Sequence, residues 1–177
     1  MSLIDKTYFV KDINIPDSTY SDLTAYITTH EKAILIKLLG YEIWKLVDAY
    51  NAVTSPQRIL DLVEGVEYDV DDYTIKWNGL KNTELISLIA YYVYYWWLRD
   101  NTTFTTKSGE LKSIGENSEV ANPTVKLVNT WNKLRDLYGY SGQDSYEPSA
   151  YNFLLENESD YDEWIFRPIE TSNVWGI

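Results

Sequence analysis

The sequence predicts a mainly α protein: a compact helical bundle with one β-hairpin and an extended C-terminal tail. Three observations carry this. Apolar residues recur at three- and four-residue steps over residues 19–39 and 123–138, the spacing of one helix face. The period drops to two over residues 66–77, where Val66-Glu67-Tyr68-Asp69-Val70 and Tyr73-Thr74-Ile75-Lys76-Trp77 flank Asp71-Asp72, the pattern of a hairpin. Residues 85–98 are apolar but for Ser87, with four tyrosines and two tryptophans among fourteen positions. A helix apolar all round has to be buried all round, in a core, a membrane or a neighbouring subunit.

The elements follow in order. Residues 1–16 are mixed, with Tyr8-Phe9-Val10 as a short extended piece. Asp17 or Ser18 offers an oxygen acceptor to the first free N–H groups of a helix over about 19–39. Its apolar set is Leu23, Tyr26, Ile27, Ile34, Leu35, Leu38 and Leu39, and Gly40 stops it. A second helix over 41–52 carries Ile43, Trp44, Val47 and Tyr50 on one side. Ser55-Pro56 opens a third, which ends at Gly65. The hairpin comes next, closed by Asn78-Gly79. One hairpin alone is marginal in water, so it must pack on the helices or pair with another chain.

Asn82 or Thr83 caps the aromatic helix, which runs to about Asp100. Residues 101–122 read as a long polar loop, of the kind that is usually functional or disordered. Pro123 opens the last long helix, with Val125, Leu127, Val128, Trp131, Leu134, Leu137 and Tyr138 as its apolar set, and Gly139 ends it. This places a helical domain at 1–140 and an acidic, aromatic extension at 141–177. Within the extension, 148–156 is one short helix, an acidic run spans 156–163, and Trp164-Ile165-Phe166 and Val174-Trp175 form apolar tips.

Composition narrows the function. Fifteen basic residues against 27 acidic give a net charge of −12. Such a field repels a phosphate backbone and argues against primary nucleic-acid binding. The chain has no cysteine, so disulfides and thiol chemistry are excluded. A spanning helix needs roughly 20 apolar residues, and the aromatic run has fourteen, closed by Glu84 on one side and Arg99-Asp100 on the other. Together with an N-terminus that lacks a signal pattern, this reads as a soluble, intracellular protein with no membrane partner.

Motifs for catalysis are wanting. None of the eight glycines lies in a phosphate-binding pattern. His30, the one histidine, has no assignable serine or carboxylate partner and reads as a half-buried polar residue on the first helix. Asp69-Val70-Asp71-Asp72 begins like a calcium loop but lacks its central glycine and distant Glu. The expectation is no enzyme, no cofactor and no metal. The acidic run reads as a solvated, flexible face, with binding of cations or a basic partner as the alternative. The Tyr/Trp helix reads as core, with some hydroxyl ends reaching water or a partner. Interface candidates are Tyr92, Tyr95, Trp96, Phe104, Trp164, Phe166 and Trp175. For the tail tryptophans, docking on the chain's own core and docking on a second subunit stay equally open.

Five segments together resemble a known class. They are Glu31–Tyr41, Trp77-Asn78-Gly79-Leu80, the Tyr-Tyr-Val-Tyr-Tyr-Trp-Trp helix, Thr105–Glu110 and Trp131-Asn132-Lys133-Leu134. Their order is similar to the head–tail connector, or adaptor, proteins of tailed phages and prophages of gut bacteria, crAss-like phages included. The resemblance covers about residues 20–140. It implies a structural virion protein at the neck, made in the host cytoplasm. Its copies form a homo-oligomeric ring, commonly twelve-fold, beneath the portal protein and against tail or other connector proteins. DNA passes through the channel without being specifically bound. It implies no catalytic residue. The hairpin at 66–77, the loop at 101–122 and the tail would meet neighbouring subunits. A monomeric protein-binding module, such as a phage regulator or inhibitor, is the competing reading. A hydrolase using a metal and carboxylates comes third.

Overall fold

Gly40 sets the first architectural feature. In the computed structural model, which describes residues 2–15, 20–106, 109–112, 123–140, 143–165 and 167–170, helix α1 runs over Tyr20–Asp48 but breaks at Gly40, whose φ of 81° and ψ of 166° lie outside any helix. The two arms are the two helices expected on either side of that glycine, the second ending at Asp48 instead of residue 52. The break has a packing consequence. The last carbonyls of a helical arm lack partners within it, and the Leu38 carbonyl accepts from two distant donors, the Tyr138 hydroxyl at 3.2 Å and the Trp164 indole N–H at 3.1 Å.

Helix α2 (Gln57–Glu64) follows Pro56 and ends at Gly65, burying Ile59, Leu62 and Val63. Strands β1 (Val66–Val70) and β2 (Tyr73–Trp77) pair antiparallel with Val66 opposite Trp77 and Val70 opposite Tyr73. The alternation read from the sequence sets the faces. Tyr68, Val70 and Trp77 point inward, while Glu67, Asp69 and Lys76 face out. The inward face is covered within the chain. Trp77 donates its indole N–H to the Leu62 carbonyl at 3.1 Å and stacks on Phe153.

Helix α3 (Leu88–Thr102) is the aromatic helix. It starts later than the expected cap at Asn82 or Thr83. Ser87 fills the capping position: its hydroxyl accepts from the Ile89 N–H at 3.2 Å and donates to the Leu80 carbonyl at 2.8 Å. Asn82 instead closes the preceding loop by bonding both backbone groups of Ile86. Seven consecutive residues, Leu88 to Tyr94, are buried, which is the all-round burial that their composition demands. α4 (Pro123–Tyr138) lies along α3, and α1 packs on α3 as well. Among the described residues no helix is long and apolar enough to cross a membrane.

Three expectations need correction. Residues 8–10 are not one extended piece: Tyr8 ends a 3₁₀ turn over Lys6–Tyr8, only Val10 has extended backbone, and a second 3₁₀ turn, Lys11–Ile13, follows; Tyr8, Phe9 and Ile13 are buried in the core. The polar stretch after residue 101 is not all loop, because β3 (Thr103–Thr106) pairs antiparallel with β4 (Gly109–Lys112), making a second hairpin that leads straight off α3. β-branched threonines fit such strands, but four-residue strands are too short to show a period of two. Finally, the described residues of 143–165 and 167–170 do not leave the body. α5 (Ala150–Glu156), capped by Ser149, contributes Ala150, Phe153 and Leu154 to the same core as the helices, and Tyr161 and Ile169 join them. The expected boundary at residue 140 does not divide that core.

The C-terminal segment is fastened by long-range polar contacts. The Arg58 guanidinium grips both carboxylate oxygens of Glu163, at 2.8 and 2.9 Å, and the Asp160 carbonyl at 2.6 Å. The Tyr161 hydroxyl donates to the Arg58 carbonyl. Glu163 titrates at about 2, below its ordinary 4.5, chiefly because Arg58 bonds its charged form. A depressed carboxyl contributes stability above the unfolded value and loses it as pH falls. We therefore expect a Glu163-dependent loss between about pH 4.5 and pH 2. The pair is nearly a third exposed, so screening limits the loss to roughly 1 kcal/mol. Urea midpoints of wild type and Glu163→Gln across that range check it; parallel curves would remove Glu163 as the cause.

Candidate functional site

The described residues hold no cluster of three His, Asp or Glu side chains placed to bind a metal ion. The feature that stands out is a change of character along α3. Its first two turns are buried to Tyr94, residues Tyr95 to Leu98 are half-buried, and Arg99 and Asp100 are exposed. A helix rises 1.5 Å per residue, so α3 leaves the core over one turn while its composition stays aromatic. Tyr and Trp suit that position, since each has an apolar body and a polar tip.

Where α3 emerges, three helices bring rings together. His30 on α1 is sandwiched between Tyr26, at 5.6 Å between centroids, and Trp96, at 5.5 Å and only 5° from parallel. Tyr92 meets both His30 and Trp96 edge-on. Tyr95 abuts Trp96 and reaches Trp131 of α4 at 4.9 Å. Two cations lie over this face: Arg99 is 4.8 Å from the Trp96 ring and Lys37 is 5.9 Å from Trp131. Such contacts contribute roughly 0.5–1 kcal/mol each where exposed. Asp100 closes one side, accepting from the Tyr26 hydroxyl at 3.1 Å. Trp131 donates its indole N–H to the Glu170 carbonyl at 2.8 Å.

Burial lowers the His30 pKa, with Asp100 opposing, so the ring stays neutral near pH 7 and stacks as an aromatic. The Trp96 indole nitrogen is buried with no hydrogen-bond partner among the described residues. Leaving a donor so costs about 1–3 kcal/mol, a cost carried in the middle of this cluster.

Of the residues singled out from the sequence, the structure brings Tyr92, Tyr95 and Trp96 together. Tyr92 is the buried floor and the other two are half-open. Phe104 sits in β3 opposite Leu111, just past the end of α3. Trp164 is elsewhere: it is half-buried against Tyr151 and held by the Leu38 carbonyl, so it docks on the chain's own core. Phe166 and Trp175 fall outside the described residues. Sequence reasoning missed Tyr26, His30 and Trp131 as members. The spacing of Tyr26 and His30 at i and i+4 was a signal for a shared face, but nothing local says that Trp96 completes the stack. Trp131 was read as core.

A second apolar exposure lies at the tip of the first hairpin, where Tyr73 meets Tyr146 edge-on at 5.2 Å. Asp71 accepts from the Tyr146 hydroxyl at 3.3 Å. This contact ties the tip to the segment before α5, so the hairpin is braced within its own chain.

Comparison with protein-family models, with curated proteins and with solved structures finds no match to this chain.

Proposed function

We propose that the chain is a structural virion protein, a ring-forming head–tail connector that joins portal to tail around the DNA channel of a tailed phage. The observation that carries this reading is the course of α3: a core helix that surfaces as a half-open aromatic face and continues directly into a hairpin. Monomeric proteins keep exposed apolar patches small, and larger ones mark interaction sites. A hairpin of two four-residue strands is marginal alone, and packing against a neighbouring copy or the portal would stabilise it.

The segments that resemble connectors fall on structural devices. Glu31–Tyr41 spans the arm up to and past the Gly40 break, and Trp77–Leu80 is the crossing of the chain over the end of α2. The Tyr/Trp run is α3, Thr105–Glu110 takes in the end of β3 and the start of β4, and Trp131–Leu134 includes the ring of α4 that meets Tyr95 of α3. The acidic balance of −12 suits a channel wall that DNA slides past, since like charge repels phosphate.

Imaging of purified particles together with native mass spectrometry tests the reading. The expected result is a closed ring of uniform stoichiometry. A monomer at high concentration, with no ring on adding portal, would overturn it and favour a monomeric protein-binding module.

A further inference from the structure

At the start of α3 the local sequence and the backbone part company. Asn82 is a good cap, Glu84 would place a carboxylate in the first turn, and Leu85 and Ile86 belong to the apolar run. Yet α3 begins only at Leu88, with no acid in its first turn. Thr83 and Glu84 form a turn, and residues 85–87 are not helical. Leu85 has a φ of 59°. That left-handed region is rare for a bulky apolar residue, and a residue in it is held there by its surroundings.

Two ties do the holding. Ser87 takes the cap through its bonds to the Leu80 carbonyl and the Ile89 N–H. The second tie comes from the N-terminal segment. The Tyr8 hydroxyl donates to the Asn82 carbonyl and accepts from the Asn82 N–H, both at 3.0 Å. In a helix capped by Asn82, that carbonyl would accept the Ile86 N–H as the first helical bond. Here the Ile86 N–H goes to the Asn82 side-chain oxygen at 3.2 Å, and the Asn82 amide donates to the Ile86 carbonyl at 2.6 Å. Tyr8 thus engages the acceptor on which an earlier start would be built.

Tyr8 is itself fixed, at 5% exposure. On one side of it Glu31 of α1 accepts from the Leu3 N–H at 2.9 Å and the Ser2 hydroxyl at 2.7 Å; on the other, Asp12 accepts from the Tyr91 hydroxyl of α3 at 2.8 Å. Residues 2–13 are therefore a strap tied to α1, to α3 and to the loop before α3. The loop has room to repack. Glu84 and Ile86 border a cavity of about 220 Å³, together with Trp77, Leu137 and Pro148, whereas a protein core is close-packed.

We propose that residues 83–87 are a conformational switch: a turn of α3 kept uncoiled by the N-terminal strap, which winds onto the helix when Tyr8 leaves Asn82. The loop form keeps Leu85 left-handed and satisfies Ile86 through a side chain. The wound form frees Leu85 and pairs Ile86 with backbone, but gives up the Ser87 cap and the Tyr8 bonds. Two arrangements of one segment that exchange so few bonds make a bistable element, which a small change elsewhere can tip. The switch couples the position of the strap to the central helix. It is a property of the single chain and stands whether or not copies form a ring.

Two substitutions push toward the wound form. Tyr8→Phe keeps the ring and removes the hydroxyl. Ser87→Ala removes the cap and puts a better helix former in the wound turn. Losing one hydrogen bond shifts such a balance by roughly fivefold, so the double variant should shift it by roughly 25-fold. Backbone carbon chemical shifts of residues 83–87 read the balance, and thermal melts verify that each variant is folded. The expected result is movement toward helical values in the double variant, with Tyr8→Phe alone moving part of the way. Adding Leu85→Gly should reverse it, because Gly adopts positive φ without strain and is a poor helix former. Shifts that stay at wild-type values in the folded double variant, that move to coil values, or that ignore Leu85→Gly would overturn the proposal.

Discussion

Gly79→Ala is expected to be among the most damaging single substitutions in this protein. After β2 the chain crosses back over the end of α2, with the Leu80 N–H donating to the Leu62 carbonyl at 3.2 Å and the Lys81 N–H to the Val63 carbonyl at 2.8 Å. Gly79 has φ +82°, and a Cβ there would lie 2.6 Å from the Val63 carbonyl oxygen, the Glu64 carbonyl carbon and the Gly65 nitrogen. All three are backbone atoms of a helix end, so none can swing away as a side chain would. Gly65 faces the Trp77–Asn78 backbone in the same way. Two glycines let two backbones touch, and the hairpin's position on α2 depends on that contact. The left-handed backbone alone costs roughly 1–3 kcal/mol for a non-glycine residue, and forced overpacking adds about 1–3 more. We expect a loss of about 3–5 kcal/mol in urea unfolding, near 10 °C in Tm for a chain of this size. Gly40→Ala is the control. Its φ is +81°, but a Cβ there meets nothing within 4 Å. Its loss should be confined to the conformational part, about 1–3 kcal/mol. Equal losses at the two positions would show that the crossing is not the source of the effect.

Phe153→Ala is the second large expectation. Phe153 is 2% exposed. It stacks on Trp77 at 5.8 Å and 12°, and meets Tyr68 and Tyr161 edge-on at 5.5 and 5.8 Å. It therefore joins the first hairpin to the C-terminal segment. Truncating a buried Phe costs about 3–5 kcal/mol. The Tyr68 ring borders the space left behind, and its buried hydroxyl has no hydrogen-bond partner among the described residues. A water admitted there would hold the loss to the lower end. The whole protein should lose stability in one cooperative transition, with tryptophan fluorescence and far-ultraviolet circular dichroism coinciding. Were the C-terminal segment an appendage, the main transition would not move.

The local features of this fold were legible in the residues. Gly40, Gly65 and Gly139 end helical arms where the apolar period stops, and the period of two over 66–77 gave the first hairpin with its inward face. The burial of Leu88–Tyr94 followed from their having no polar face. These are properties of a few neighbouring residues, and backbone geometry reads them directly. The cap of α3 went wrong for a related reason: Asn82, Thr83 and Ser87 all carry the chemistry of a cap, and only the Leu80 carbonyl beside Ser87 decides among them. The second hairpin was too short to declare a period.

The candidate surface was half legible. Tyr92, Tyr95 and Trp96 stood out because they share one helix with too many rings for a simple core. His30 and Trp131 belong with them only because α1 and α4 pack on either side of α3. Trp164 was open between core and partner, and tertiary structure decided for the core through the carbonyl of Leu38, 126 residues earlier in the chain. Arg58 and Glu163 are 105 residues apart, and no composition of the acidic run signals that one arginine pins it.

The sequence by itself determined that this is a mainly α chain with a hairpin at 66–77 and a central aromatic helix, because periodicity and glycine placement act within a turn or two of backbone. Tertiary structure alone decided that Phe153, Leu154, Tyr161 and Ile169 join the core of the helices and that one turn of α3 opens to the surface between His30 and Trp131. It also decided that the acidic run is held in place. Each of these depends on contacts between residues far apart in sequence, whose partners are set by how the helices pack and not by any local pattern.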